Sequence, residues 1–526
     1  MRARTLLAAG AVVLAGIVPA AAQETPVRGG TLNFSIAAEP PTYDCHASST
    51  FAVIQRVAPH YSTVLKYEPH KYPNVVGDLA QSWTISPDNL AYTVKLHPNV
   101  QFHDGSILTS SDVKASYERI ANPPAGINSA RRDSMVKLAS IETPDPLTVV
   151  FRLKEVDVAF LNNLASPWNC IYSAAKLKEN PDFPARNVLG TGPFKFTGHV
   201  AGSHWTGERF ENYFRKGHPY LDGFRAITMS TSATLNALAG KQVDAEFRGF
   251  SPPERDRLVR DLGKDAQVFE EPWLLHMLVT FNNEKPPFND ARVRRALSLA
   301  IDRWGGSASL GRISLLRNVG GILPPGSPYA ATEEELVKLP GFGKDMAANR
   351  AEARRLLKEA GQENLSFTLA NRTIAPYTAN GIFLIDQWRQ IGVKVDHQQL
   401  ELAAYFSSMS SGNYEVIVDS FTDYSPDPNT GVIKYISTDR SPQAFSRHTD
   451  RKLDELFDLQ AKTTDKVERR KLVRQLEARA MEQAYAVPFL YWHRIVVLNK
   501  RVHGWSMSPF HMIYQDLGDV WLSPAS

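Results

Sequence analysis

The sequence predicts an α/β protein of two to three domains, and three observations carry that expectation. The chain has 526 residues, enough for two or three units that each bury a full core. Leu365 to Leu369, Ile382 to Gln390 and Val393 to Val395 read as strand, helix and strand, the unit that lays parallel strands side by side. Trp273 to Phe281 is a near-continuous apolar run, the mark of a strand buried on both faces.

The remaining elements follow in chain order. Arg2 and Arg4, the apolar run Leu6 to Val18 and Ala20-Ala21-Ala22 read as an export leader over residues 1–22, cleaved before Gln23. That run is too short to span a bilayer. No cysteine stands near it, so no lipid anchor is expected, and the periplasm is the expected location. Leu32 to Ile36 alternates like a strand, and Thr50 to Leu65 is amphipathic enough for a helix. Val75 to Ile120 reads as a helix-like opening over residues 78–83, a hairpin through Tyr92, Val94 and Leu96, a His103-Asp104-Gly105 turn, and a helix capped by Ser110 or Ser111. Leu189 to Phe196 is a Gly-rich turn entering a strand. It lacks the Lys-Ser/Thr pair and following helix of a phosphate loop, so it reads as a domain crossover. Thr231 to Ala239 is helical, stopped by a left-handed Gly240. Asn289 or Asp290 caps the helix whose stripe is Val293, Ala296, Leu297, Ala300 and Ile301. Gly305 to Gly321 is Gly/Ser-rich, Pro324 to Pro340 reads as loop, Asn349 to Ala360 as helix, Tyr414 to Phe421 as strand, Leu453 to Ala484 as a long, charged helical stretch and Val487 to Asn499 as strand.

Composition narrows the function classes. The formal charge of +4 falls to +2 when Arg2 and Arg4 leave with the leader, a balance that argues against nucleic acid. The 14 histidines are scattered, with no His-Glu-x-x-His and no Cys-x-x-Cys, so no metal site or cofactor is expected. No Gly-x-Ser-x-Gly elbow appears. Cys45 and Cys170 are compatible with one disulfide in an oxidising compartment; two buried free thiols are the alternative. Asp419 to Pro428 follows a buried-type strand, and ligands of α/β sheets gather beyond the carboxyl ends of strands. Asp423 suits a cationic group and Phe421 and Tyr424 suit apolar walls; a plain turn with Asp423 and Asp427 capping backbone amides is the alternative.

The chain resembles the periplasmic peptide-binding proteins of ABC importers, the solute-binding class with oligopeptide-, dipeptide- and nickel-binding members. Six blocks run in register: Gly29-Gly30-Thr31-Leu32; Leu79-Ala80-x-Ser82-Trp83 with Phe102-His103-Asp104-Gly105 and Leu108-Thr109-x-x-Asp112-Val113; Gly190-Thr191-Gly192-Pro193-Phe194; Pro287-Phe288-Asn289-Asp290-x-Arg292-Val293-Arg294-x-Ala296-Leu297; Ala300-Ile301-Asp302-Arg303; and Ala353-x-x-Leu356-Leu357-x-x-Ala360-Gly361. The resemblance implies the two-lobed α/β fold of the large three-domain type, with a ligand cleft between the lobes. It puts lobe I at 24–65, 188–276 and 490–526, an inserted domain at 66–187 and lobe II at 277–489. It implies a receptor, not an enzyme, that captures a peptide or peptide-sized solute by lobe closure and delivers it to permease subunits in the inner membrane, as a monomer. Asp423 takes the place of the family's ammonium-binding Asp, and Trp273 that of a cleft aromatic; Trp168, Tyr491 and Trp492 stand near the crossings. The chain departs from the family in Asp419-Ser420-Phe421, where Gly-Trp is usual, and in Asp44-Cys45, where Asp-Pro is common. A periplasmic hydrolase using the same cleft, or a binding protein for a metal chelate or oligosaccharide, is the alternative expectation.

Overall fold

A computed structural model describes residues 25–422, 425, 427–441 and 443–524. The expected leader, residues 1–22, lies outside them. Two lobes are tied together by one pair of long strands. Ala266–Phe281 and Ala486–Asn499 run antiparallel, from Ala266 opposite Asn499 to Thr280 opposite Ala486. Their ladder loses register between Pro272 and His276. Pro272 has no amide hydrogen to donate, and the Leu274 amide turns away to the Pro509 carbonyl at 2.7 Å.

On one side of that break the pair meets the first sheet, whose order is Ala245–Glu246, Thr31–Ile36, Gly223–Thr228, His204–Arg209 and Phe194–Val200. Leu32, Phe34 and Ile36 alternate into its core. The Asn499 amide donates to the Asp244 carbonyl at 2.9 Å and the Phe250 amide to the Ile495 carbonyl at 2.7 Å. On the other side the pair forms the centre of a six-stranded sheet, ordered Leu316–Asn318, Ala486–Asn499, Ala266–Phe281, Val416–Thr422, Ser366–Arg372 and Lys394–Leu400. Ser366–Arg372 runs parallel to both its neighbours, as the strand–helix–strand reading requires; the helix between is Ala375–Arg389.

A third sheet, antiparallel, is ordered Ala80–Ile85, Ala91–Leu96, Thr148–Leu153 and Leu138–Asp145. The helix-like opening expected at 78–83 is strand here, because pairing with Ala91–Leu96 overrides local propensity. The helix Ser110–Ala121 begins one residue earlier than a Ser110 cap allows: the cap is Thr109, whose amide donates to Asp112 Oδ2 at 2.8 Å. This domain touches the second lobe. Lys462 Nζ lies 2.8 Å from Glu155 Oε2, and Asn429 Nδ2 donates to Asp157 Oδ1 at 3.3 Å.

Several elements differ from expectation for identifiable reasons. The helix expected over 50–65 is Phe51–Val57 followed by a tighter turn, Ala58–His60, which Pro59 enforces. Gly240 ends its helix without a left-handed backbone, at φ −81°. Residues 453–484 form two helices, Arg451–Lys462 and Lys466–Gln483, because Asp465 caps the second by accepting from the Glu468 amide at 2.8 Å. The Gly/Ser-rich stretch from Gly305 begins inside the helix Arg303–Leu310, capped by Asp302, which accepts from the Gly305 amide at 2.7 Å. At the crossover, a Cβ on Gly190 would stand 2.1 Å from the His60 carbonyl oxygen. That turn is glycine because two backbones touch, which has nothing to do with phosphate. Cys45 and Cys170 are joined as a disulfide, Cα to Cα 6.1 Å.

Candidate functional site

The break in the long strand pair concentrates aromatic and polar side chains between the lobes. Trp273 sits at the break, buried, with its Nε1 donating to His511 Nδ1 at 3.0 Å. Its ring meets Trp492 edge-on at 5.3 Å and 89°. Trp492 is buried too, yet its indole Nε1 has no hydrogen-bond partner among the described residues. Tyr491 points to the opposite face of its strand, as strand alternation requires. Its hydroxyl donates to the Gly321 carbonyl at 3.1 Å, and its ring stacks on His276 at 4.5 Å. Phe421, register partner of His276, meets that imidazole at 6.0 Å and 72°.

Four of the sequence-selected residues, Phe421, Trp273, Tyr491 and Trp492, therefore gather about one strand pair. Trp168 does not join them. It is buried in the core of the first lobe and the inserted domain, with the Arg131 guanidinium 4.4 Å above its ring. Asp423 and Tyr424 lie outside the described residues. Asp427 caps the turn Pro428–Gly431, accepting from the Asn429 amide at 2.9 Å, and is held by Arg469 at 2.6 Å. His103 and Asp104 form no dyad. His103 Nε2 bonds the Gly192 carbonyl at 3.0 Å, while Asp104 accepts from the Ser106 amide and hydroxyl.

Sequence reasoning missed His276, Tyr377, Arg372 and Arg248. The first had a signal: one imidazole inside Trp273–Phe281, otherwise almost wholly apolar. Tyr377 donates to Ser420 Oγ at 2.5 Å and meets Trp492 at 6.5 Å. The Arg372 guanidinium lies 4.8 Å over the Tyr377 ring. Arg372 ends its strand at the same sheet edge as Thr422, because Ser366–Arg372 and Val416–Thr422 are parallel neighbours. Arg248, from the first lobe, is exposed, and Glu246 and, from the other lobe, Arg372 act on its charge in opposite senses. No carboxylate pairs with Arg248 or Arg372 within ion-pair distance among the described residues. Beneath them, Lys434 Nζ and Asp419 Oδ2 form a buried pair at 2.5 Å. Burial nonetheless pushes the Lys434 ammonium down. No group of His, Cys, Asp or Glu able to hold a metal occurs among the described residues, and no helix among them is long and apolar enough to cross a membrane.

Comparisons with known proteins bear on this geometry. The sequence pattern of the bacterial extracellular solute-binding proteins, family 5 Middle, matches residues 74–443. The glutathione-binding protein GsiB of Pectobacterium atrosepticum is 33% identical over 324 residues, 61% of this chain, and the match spans 60% of that relative's length. Among solved structures, the periplasmic binding protein DppA of Helicobacter pylori, in complex with the peptide STSA, superposes with a TM-score of 0.81 at 23% identity, covering 94% of this chain and 98% of that one. The binding protein AgaA of A. tumefaciens, in complex with agropinic acid, gives 0.79 at 26% identity, covering 94% and 99%.

Proposed function

We propose, since the chain belongs to the bacterial extracellular solute-binding proteins, family 5, that its ligand is a peptide or peptide-sized solute carrying a free amine and a carboxylate. The chain is the extracytoplasmic substrate receptor of an ABC importer; it captures the ligand between its lobes and presents the closed form to the permease. Closure follows from differential binding, since a ligand favours whichever state it contacts more fully.

One observation carries the choice of ligand. Two parallel neighbouring strands run to the same sheet edge, one ending on Arg372 and the other on Thr422, the residue before Asp423. Arg372, over the Tyr377 ring, is matched to a carboxylate, and Asp423, two residues after Phe421 in the sequence, to an ammonium; the two complement a zwitterion. Asp423 takes the ligand's ammonium and Arg372 its carboxylate, for which a guanidinium fork is well matched. Arg248 brings further positive charge from the other lobe. The relatives' ligands agree in kind, being glutathione, a peptide and an acid. The ladder break at Pro272 to His276 and the membership of the three sheets support lobe I as 24–65, 188–276 and 490–526, the inserted domain as 66–187 and lobe II as 277–489.

Calorimetric titration with short peptides tests both poles. Asp423→Ala is expected to weaken a free-amine peptide at least about tenfold, because a buried charge is left without its partner. Arg372→Gln is expected to do the same for a free carboxylate and to leave a C-terminally amidated peptide unchanged. Equal binding of N-acetylated and free peptides by the native protein would sink the ammonium role. Mass spectrometry of solute released from the purified protein would identify the natural ligand.

A further inference from the structure

His276 stands alone in an apolar strand, flanked by Leu274, Leu275, Met277 and Leu278. It is 3% exposed, and its Nε2 has no hydrogen-bond partner among the described residues. Leaving a polar nitrogen unpaired in apolar surroundings is costly, so its retention points to a visiting partner. Space for one exists. A cavity of about 20 Å³ is lined by His276 with Leu274, Ile322, Leu323, Phe421 and Tyr491, beyond the carboxyl end of Val416–Thr422. That volume admits one water-sized group.

The walls are fixed by close contacts. Tyr491, stacked on His276, is tethered through its hydroxyl to Gly321. A Cβ on Gly320 would stand 2.7 Å from Tyr491 Cε2, and one on Gly431 would stand 2.6 Å from Leu323 Cδ2. Glycine at both positions lets these walls close on a space of this size.

We propose that His276 and this cavity form a subsite for a small uncharged hydroxyl or thiol of the ligand, hydrogen-bonded to Nε2. The inference rests on the peptide reading above and names a side chain that reading leaves open. The surroundings select against charge. Burial, with Lys434 nearby, holds the imidazole down to about 3, so it is neutral under physiological conditions. Lys434 is itself paired with Asp419, and Asp427, at the cavity's rim, with Arg469. Among the described residues, no charged group facing the ring is free to meet a charged ligand atom.

Titration calorimetry with tripeptides built on Gly-Gly-Gly tests it. Serine, or its near-isostere 2-aminobutyrate, is placed at each of the three positions in turn. The native protein is expected to prefer serine about tenfold at one position, the effect of one well-made hydrogen bond in a dry site. His276→Leu is expected to abolish that preference, and His276→Gln to keep part of it. The native preference should also stay level from pH 5 to 8, by the neutrality argued above. If the native protein shows no preference at any position, or the Leu variant keeps it, the subsite is wrong while peptide binding stands. If none of the tripeptides binds, the peptide reading fails and the subsite with it. Should the Leu variant not fold, the Gln variant and the pH series decide.

Discussion

Histidines held uncharged by burial, His511 among them, make stability depend on pH. Burial holds His46, His103 and His448 down to about 4, and His60 and His276 down to about 3. In the unfolded chain each titrates near about 6.5. Below that value the unfolded state binds protons that the folded state refuses, so stability falls with pH until the folded values are passed. Each such histidine contributes a slope approaching about 1.4 kcal/mol per pH unit. Urea midpoints measured between about pH 5 and 7.5, mostly above the carboxylate range, should drop steadily on the acid side. A level series would contradict neutral burial. At this scale the sequence spoke unevenly. Phe421, Trp273, Tyr491 and Trp492 were legible from a resemblance and an apolar run. Trp168 was chosen for its place near a crossing, and it is buried under Arg131 instead. Arg372 was invisible because its position depends on a parallel neighbour whose paired residues lie 47 positions later, Leu369 opposite Val416 and Ala370 opposite Ile417.

Elements were read best where one period ran unbroken. The strands that became Ala266–Phe281 and Ala486–Asn499 announced themselves by continuous apolarity, but nothing local says that they pair with each other. The helix Arg303–Leu310 hid behind Gly305 and Gly306. A Cβ on Gly306 would stand 2.9 Å from Phe383 Cζ, so packing across the lobe, and not local propensity, selects glycine there. The disulfide belongs to this scale as well. It ties the segment after the first strand to the end of the inserted domain over a separation of 125 residues. Beside it Asp44 and Arg119 form a buried pair at 2.5 Å. Closing so long a loop restricts the unfolded chain, and replacing both cysteines with serine should cost about 2–5 kcal/mol. Urea unfolding of the native and double-serine proteins measures the difference. An unchanged midpoint would show that the Asp44–Arg119 network holds this junction unaided.

For the whole molecule, the contacts between the inserted domain and the second lobe matter most. Lys462 meets Glu155 at 2.8 Å and Asn429 meets Asp157 at 3.3 Å. Asp157 is buried, and burial raises its carboxyl, with Asp427 adding to the shift and Lys137 opposing it. These contacts join bodies that must part for a solute to enter. Lys462→Ala should therefore favour the separated state and raise the apparent dissociation constant about two- to fivefold, in line with an exposed ion pair. Small-angle scattering of the ligand-free variant should show a larger radius of gyration than the native protein. If neither quantity moves, the pair is incidental.

That ion pair is half exposed on both sides, so dissolved salt screens it, over a Debye length of about 8 Å at 0.15 M. Asn429 and Asp157 are shielded and change far less. An empty receptor resting with its lobes together competes with loaded ones for the same membrane partner. Raising the ionic strength should therefore shift the balance from joined toward separated lobes, as Lys462→Ala does, while the Asn429–Asp157 contact holds.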